Sequence, residues 1–198
     1  MKQDYQIRKL SLPEMEEVYE GPARRHFPAN ELKPLKAIKR MYGDGCYEAL
    51  GLFSGTEFLA YAFYVQTPDG KSRLLDYYAV MEEYRSSGVG SLFLSKMREW
   101  YRDCQCIILE TEDLALAKDE KERETRARRN AFYVRNGGVE TEIHVSYFAA
   151  DYQIFYLPIK GEKSMEQVLA DLKKIYRVMF QDKLEKIVEI LNYEIIRG

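Results

Sequence analysis

Arg85, Gly88 and Gly90 stand close together after an apolar strand-like run and just before an apolar-periodic helix, within the sequence YAVMEEYRSSGVGSL of residues 78–92. A strand that turns through glycine into a helix aims several N–H groups and the positive helix end at one point. The glycines let backbone approach a ligand with no Cβ in the way, and the arginine adds charge. The chemistry this suits is pyrophosphate binding. Its donors are the N–H groups of Ser86, Ser87, Gly88, Val89 and Gly90, with Ser91 in the first helical turn. The same spacing also serves packing alone, so the elements around it decide.

Further positions could move protons. Asp76 lies four residues before Val80 on the same face of its strand, and Glu110 and Glu112 share a face of a later strand by the two-residue period. A carboxylate within a covered sheet is costly to bury, so it calls for a cavity or a cation. Tyr133 sits on the apolar continuation of a charged helix, where an aromatic ring also packs well as core.

Those residues need a scaffold. Residues 5–9 alternate as a strand, and Ser11 is an N-cap for a helix carrying Leu12, Met15 and Val18. A second helix is predicted over residues 30–42, ended by Gly43-Asp44-Gly45. Strands over 47–53, 57–66 and 73–81, joined by short turns, read as an antiparallel meander leading into the glycine turn. The helix after it is expected to bury Leu92, Leu94, Met97 and Trp100 or Tyr101, and residues 106–111 form a buried strand. Residues 113–129, with acid-before-base pairs at four-residue spacing, predict a solvated helix that runs on to a glycine C-cap at Asn136-Gly137-Gly138. Strands over 139–148 and 152–159 complete the sheet, and helical spacing through residues 164–196 predicts a helical C-terminal extension.

The resulting class is α/β (α+β): a mixed, mostly antiparallel central sheet flanked by helices, in one domain over residues 1–198 with a core at about 5–160. A net charge of −2 leaves no basic excess for nucleic acid. Cys46, Cys104 and Cys106 read as free thiols in a reducing, cytoplasmic compartment. Three cysteines with two distant histidines make a poor metal set, and no apolar run suits a membrane span or signal peptide.

The residues 80–90, VMEEYRSSGVG, resemble the V-x-P-x-Y-R-G-x-G-I-G of the GCN5-related N-acetyltransferase (GNAT) superfamily. Residues 132–138, FYVRNGG, resemble that family's F-Y-x-x-x-G-F. Glu82 stands in place of the usual proline, Ser86 of a glycine and Gly138 of an aromatic. Arg126 occupies the place of a frequent asparagine, so Asn130 does not inherit its cofactor contact.

The resemblance implies the acyl-CoA N-acyltransferase (GNAT) fold and acetyl transfer from acetyl-CoA to a primary amine of a small molecule or protein. It implies that Arg85 and the amides of Ser86–Ser91 hold the diphosphate and that Ala79 and Val80 pair with the pantetheine arm. Tyr133 would stand near the cofactor sulfur as general acid, its phenol protonated at neutral pH with an ordinary pKa of about 10. Direct attack also needs a base for the amine proton, for which Asp76 and Glu110 are the candidates. In this family the segment over residues 20–45 shapes the acceptor site, where Arg24, Arg25 and His26 meet either an anionic group or solvent. Two alternatives stay open: a catalytically inactive acyl-CoA sensor, and a nucleotide-binding oxidoreductase, which the meander before the glycine turn disfavours. A homodimer also stays open.

Overall fold

The computed structural model describes residues 4–148, 150–184 and 189–191. They fall into two compact units, Met1–Gln66 with Leu75–Arg102 and Thr67–Leu74 with Asp103–Gly198.

In the first unit, strand β1 (Tyr5–Lys9) leads to helices α1 (Leu12–Val18), the short α2 (Arg24–His26) and α3 (Leu35–Gly43). Strands β2 (Tyr47–Ser54), β3 (Glu57–Gln66) and β4 (Ser72–Val80, in this unit from Leu75) then lead to helix α4 (Val89–Trp100). The strands lie in the order β1-β2-β3-β4, with β1–β2 and β2–β3 antiparallel. Every residue of β3 from Leu59 to Val65 is buried. The alternation of a strand divides them: Tyr64 donates to Met97 of α4, whereas Tyr61 bonds His26 of α2 and Phe63 packs edge-on against Tyr77. At the start of α1, Ser11 donates its N–H and hydroxyl to the Glu14 carboxylate, both at 2.8 Å.

Between α1 and α2 the chain widens into a π-helical turn, Tyr19–Ala23. Pro22 lies inside it, and a proline within a helix can neither donate nor tolerate the carbonyl four residues back, which favours the wider turn. Proline also corrects the expected second helix. It starts at Leu35 rather than at residue 30, because Pro34 keeps the residue before it out of helical conformation and is itself extended, at φ −53° and ψ 130°.

In the second unit, β5 (Cys106–Glu112), α5 (Glu120–Arg135), β6 (Val139–Tyr147), β7 (Ala150–Pro158), α6 (Met165–Phe180) and β8 (Glu189–Leu191) follow in turn. The order is β5-β7-β6-β8, all antiparallel, and the first residues of β4 belong here, Gln105 N–H donating to Lys71 beside them at 2.6 Å. Ile107, Ile108, Ile143, Ile154 and Phe155 from the strands, with Val168, Leu172 and Ile175 from α6, have no exposed surface. Each such side chain contributes about 1.5–3 kcal/mol relative to exposure. Asp171 secures α6 by accepting from Ser72 at 2.6 Å, from Lys174 at 3.3 Å and from Lys163.

Two sequence expectations change here. Residues 113–129 are not one helix: Asp113 accepts from Ala115 N–H to cap a separate turn at Leu114–Leu116, and α5 starts only after Asp119, which accepts from Glu122 N–H at 2.8 Å. Aspartate that satisfies a nearby amide starts a helix rather than continuing one. The C-terminal helix ends at Phe180, and Glu189–Leu191 form a strand paired with β6 where helical spacing had suggested continuation. The ladder groups along β6 offer more than an isolated helical segment does. The expected helix over residues 185–188 and beyond residue 191 lies outside the described residues.

The α/β class, a mostly antiparallel sheet with helices against it, is the one expected from the sequence. Among the described residues no helix is long and apolar enough to cross a membrane.

Candidate active site

The expected diphosphate site is one continuous segment of the first unit. Strand β4 ends at Val80, and Met81 N–H donates to the Leu59 carbonyl at 2.9 Å, holding the exit of the strand against β3. One tight turn follows over Glu82–Tyr84, and Gly88 then caps α4 in the left-handed region at φ 86° without any side-chain cap. The N–H groups from Ser86 to Ser91 meet no backbone acceptor among the described residues, and the α4 ladder opens only with Leu92 N–H to Gly88 O at 3.1 Å. This leaves a run of donors at a helix N-terminus, the condition for binding an anion. Residues 85–88 are all exposed.

The segment is braced from below. Tyr78 of β4 donates its hydroxyl to the Gly90 carbonyl at 2.7 Å and stacks on Phe93 at 5.7 Å. Arg85 reaches back and donates Nε to the Val80 carbonyl at 3.2 Å, so its guanidinium is held at the end of the strand. Ser86 is left-handed at φ 61°, which explains a glycine at this place in related loops.

His26 lies beside this region, with Nδ1 2.9 Å from the Tyr61 hydroxyl and its ring stacked on Tyr61. Burial, then the Arg85 and Arg25 cations set against Glu82 and Glu83, lowers its pKa, which keeps the imidazole neutral. Arg24 is taken up by Glu20 at 2.7 Å on the exposed surface.

Asp76 is enclosed, with a side chain 1% exposed. Lys33 donates to one oxygen and the Tyr47 hydroxyl to the other at 2.5 Å. Burial, then the Asp76 charge, raises the Tyr47 phenol well above its usual range, so it stays a donor. Neither Lys33 nor Tyr47 carried a signal in the sequence, because each comes from a distant element.

In the second unit, Glu110 of β5 accepts from two phenols: Tyr147 of β6 at 2.8 Å on one oxygen and Tyr176 of α6 on the other. Sequence reasoning missed both partners. Tyr176 lies on the apolar face of α6, four residues after Leu172 and four before Phe180, and a tyrosine on such a face needs a partner for its hydroxyl. Glu112 has other company, pairing with Arg126 at 3.2 Å and Arg129 at 3.0 Å.

Tyr133 lies in the last turns of α5 and is 8% exposed. Burial pushes its phenol up to about 12, against the opposing pull of Arg129. The helix closes just beyond it: Gly137 N–H donates to Val134 O at 3.0 Å and Gly138 N–H to Tyr133 O at 2.8 Å, with Gly137 at φ 86°. A Cβ on Gly138 would stand 2.8 Å from the Tyr133 carbonyl oxygen, so the aromatic expected there by resemblance does not fit this turn. Arg126, in the place of the family's frequent asparagine, is 8% exposed and turned inward onto the Asp113 carbonyl, Glu112 and Glu122. The helix read as solvated therefore buries one of its own charges.

Among the described residues no group of three or more histidine, cysteine, aspartate or glutamate side chains could hold a metal ion. The three cysteines are free, with Cys104 and Cys106 buried.

Comparison with known proteins follows the same line. No curated protein sequence matches the chain. Among solved structures, a protein from Bacteroides thetaiotaomicron assigned to the GNAT family of acetyltransferases aligns with a TM-score of 0.68 at 18% identity, over 88% of this chain and 97% of that one. The ribosomal-protein-S18-alanine N-acetyltransferase from Escherichia coli aligns at 0.56 and 19% identity, over 82% and 98%. Spermidine N-acetyltransferase from Vibrio cholerae, in complex with CoA and spermine, aligns at 0.59 and 11% identity, over 80% and 96%. The model of the Acetyltransferase (GNAT) family matches residues 6–117, more than half of the chain and including β4, the glycine turn and α4. The chain belongs to the GNAT family of acetyltransferases.

Proposed function

We propose that this protein transfers the acetyl group of acetyl-CoA to a primary amine of a small molecule or protein by direct attack. The observation that carries this reading is the run of amides without backbone acceptors from Ser86 to Ser91, opening α4 behind a left-handed Gly88 with Arg85 at its edge. A diphosphate matches those donors in charge and hydrogen-bonding capacity. Ala79 and Val80 at the end of β4 are assigned to the pantetheine arm. Bound there, acetyl-CoA supplies an acetyl group activated as a thioester.

The remaining work is proton transfer. The attacking nitrogen must lose a proton, and Glu110 is assigned to take it. The departing sulfur needs one, and Tyr133, whose phenol burial keeps protonated, is assigned to give it. Asp76 is the second candidate for the base. Its occupation by Lys33 and Tyr47 favours a structural ion pair over a proton acceptor.

An amine acceptor accords with the structural neighbours, which act on spermidine or on an alanine amine of a ribosomal protein. The free thiols support a reducing compartment, which we assign as the cytoplasm. Isothermal titration with acetyl-CoA, followed by product detection across polyamines, amino acids and peptide N-termini, tests the proposal. Binding followed by acetylated product is the expected result, and no heat of binding at millimolar acetyl-CoA would sink it. Binding without turnover on any amine would favour the acyl-CoA sensor.

A further inference from the structure

Helix α6 lies beyond residues 6–117, the part of the chain that the family model matches, yet it carries a donor to the Glu110 carboxylate. Building on the proposed acetyltransferase reading, we infer that Tyr176 of α6, together with Tyr147 of β6, is a positioning residue that holds the Glu110 carboxylate ionised and fixed in plane as the base. The C-terminal extension thereby becomes part of the catalytic apparatus rather than an appendage.

The geometry gives each oxygen its own phenol, Oε1 to Tyr176 and Oε2 to Tyr147, so the carboxylate cannot rotate without breaking a bond. Tyr176 is 1% and Tyr147 7% exposed. A buried hydroxyl is commonly satisfied by a nearby backbone carbonyl, whereas here two such groups from different elements converge on one carboxylate. Their rings interlock at 5.9 Å and 68°, and Tyr147 also stacks on Tyr152 of β7 at 4.9 Å. Phe180 closes the cluster against both Tyr147 and Tyr176. Among the described residues, the titratable groups of this cluster include Tyr147 of β6 and Tyr176 of α6, which act on Glu110 directly, and Tyr152 of β7, which acts on both phenols.

Burial first, then the Glu110 charge, raises both phenols well above their ordinary value, so both remain donors through the range in which an acetyltransferase works. In the transfer, the amine N–H bond breaks and an O–H bond forms on Glu110, with no change in oxidation state. The helix itself is well secured. Ser164 and Gln167 cap its first turn reciprocally, and Asp171 binds Ser72, Lys163 and Lys174. A rigid α6 is what lets a side chain 66 residues from Glu110 set its position.

The test uses the full chain. Carbon-13 labelled glutamate gives the titration of the Glu110 carboxyl by NMR, its signal identified by its loss in Glu110→Gln. Tyr176→Phe and Tyr147→Phe remove one hydroxyl each and keep the ring packing. Each is expected to raise the Glu110 midpoint by about one pH unit, because a hydrogen bond to the charged form favours that form. The acid limb of kcat/KM on the best amine should move by the same amount, which a packing role alone would not cause. An unmoved midpoint in both variants, with Glu110→Gln inactive, overturns this inference and leaves the base assignment standing. Full activity in Glu110→Gln overturns the base assignment and the inference with it.

Discussion

Arg85 folds back onto the strand it follows, its Nε donating to the carbonyl of Val80 at 3.2 Å. That bond ties the guanidinium to the last residue of β4 and turns a flexible side chain into a fixed charge beside the run of amides. Replacing Arg85 with alanine should weaken acetyl-CoA binding by roughly 10- to 100-fold, the range for losing hydrogen bonds to a charged group. Arg85→Lys should fall between, because an ammonium lacks the planar fork that can bond the carbonyl and a phosphate together. Titration calorimetry at low and high salt checks both, with the difference shrinking as salt rises. Equal affinity in Arg85→Ala and the parent protein would remove the arginine from the site.

Backbone conformation in the same turn gives an opposite pair of outcomes. Ser86 is held at φ 61° and Gly88 at φ 86°, both in the region that costs a residue with a Cβ about 1–2 kcal/mol. Ser86→Gly should therefore raise the melting temperature or leave it unchanged while acetyl-CoA binding persists. Gly88→Ala should lower both stability and affinity, through backbone strain alone, since a Cβ there would meet nothing within 4 Å. Thermal denaturation with and without acetyl-CoA reads both variants.

The two candidate bases should separate by function. Asp76→Asn leaves Lys33, whose side chain is 15% exposed, without its counter-charge, and should cost about 3 kcal/mol of stability while turnover by the surviving folded protein continues. Glu110→Gln should bind acetyl-CoA as the parent does and lose about 100-fold in kcat. Urea denaturation paired with steady-state rates decides the assignment. A folded Asp76→Asn protein without turnover would hand the role of base to Asp76.

Tyr133 supplies a pH prediction with a definite sign. Its phenol is raised to about 12 in the fold, against about 10 when unfolded, because burial penalises the charged form. The stability it contributes is therefore complete below about pH 10 and is lost as pH climbs from there towards 12. Urea midpoints should hold steady from pH 8 to 10 and decline above, less steeply in Tyr133→Phe. As the proposed acid, Tyr133 should also give no alkaline fall in kcat below about pH 10, while Tyr133→Phe lowers kcat at every pH. A rate equal to the parent's in Tyr133→Phe would exclude it as the acid.

The turn behind Tyr133 is equally exacting. A Cβ on Gly138 would stand 2.8 Å from the Tyr133 carbonyl oxygen and 3.0 Å from its carbon, both backbone atoms that cannot swing aside. Gly138→Ala should destabilise by about 1–3 kcal/mol, the usual range for forcing extra volume into a packed site. Circular dichroism melts would show it, and an unchanged melting temperature would mean that the end of α5 yields without cost.

Much of the frame was legible in the chain because it rests on local rules. The strand β3 came out at its observed bounds, since an apolar run between two turn signals can do little else. The turn into α4 was legible for a similar reason: glycine at a left-handed position and the helical spacing of the residues after it are both written within a few residues. Proline was the signal underused, for Pro34 delays α3 and Pro22 lies in the π-helical turn. Aspartate was the other, with Asp113 and Asp119 each starting a structure where the charge pattern suggested one unbroken helix.

By itself the sequence determined the strand-to-helix junction proposed to hold a diphosphate and the helical end of α5 that carries Tyr133, because hydrogen bonds and dihedral preferences act over a handful of neighbouring residues. Only the tertiary structure decided what each acid meets: Asp76 is joined by Lys33 and Tyr47, Glu110 by Tyr147 and Tyr176. It also decided that Glu189–Leu191 join β6 as a strand. The environment of a buried charge is assembled from elements far apart in the chain, and no local pattern records which hydroxyl or ammonium the packing will bring to it.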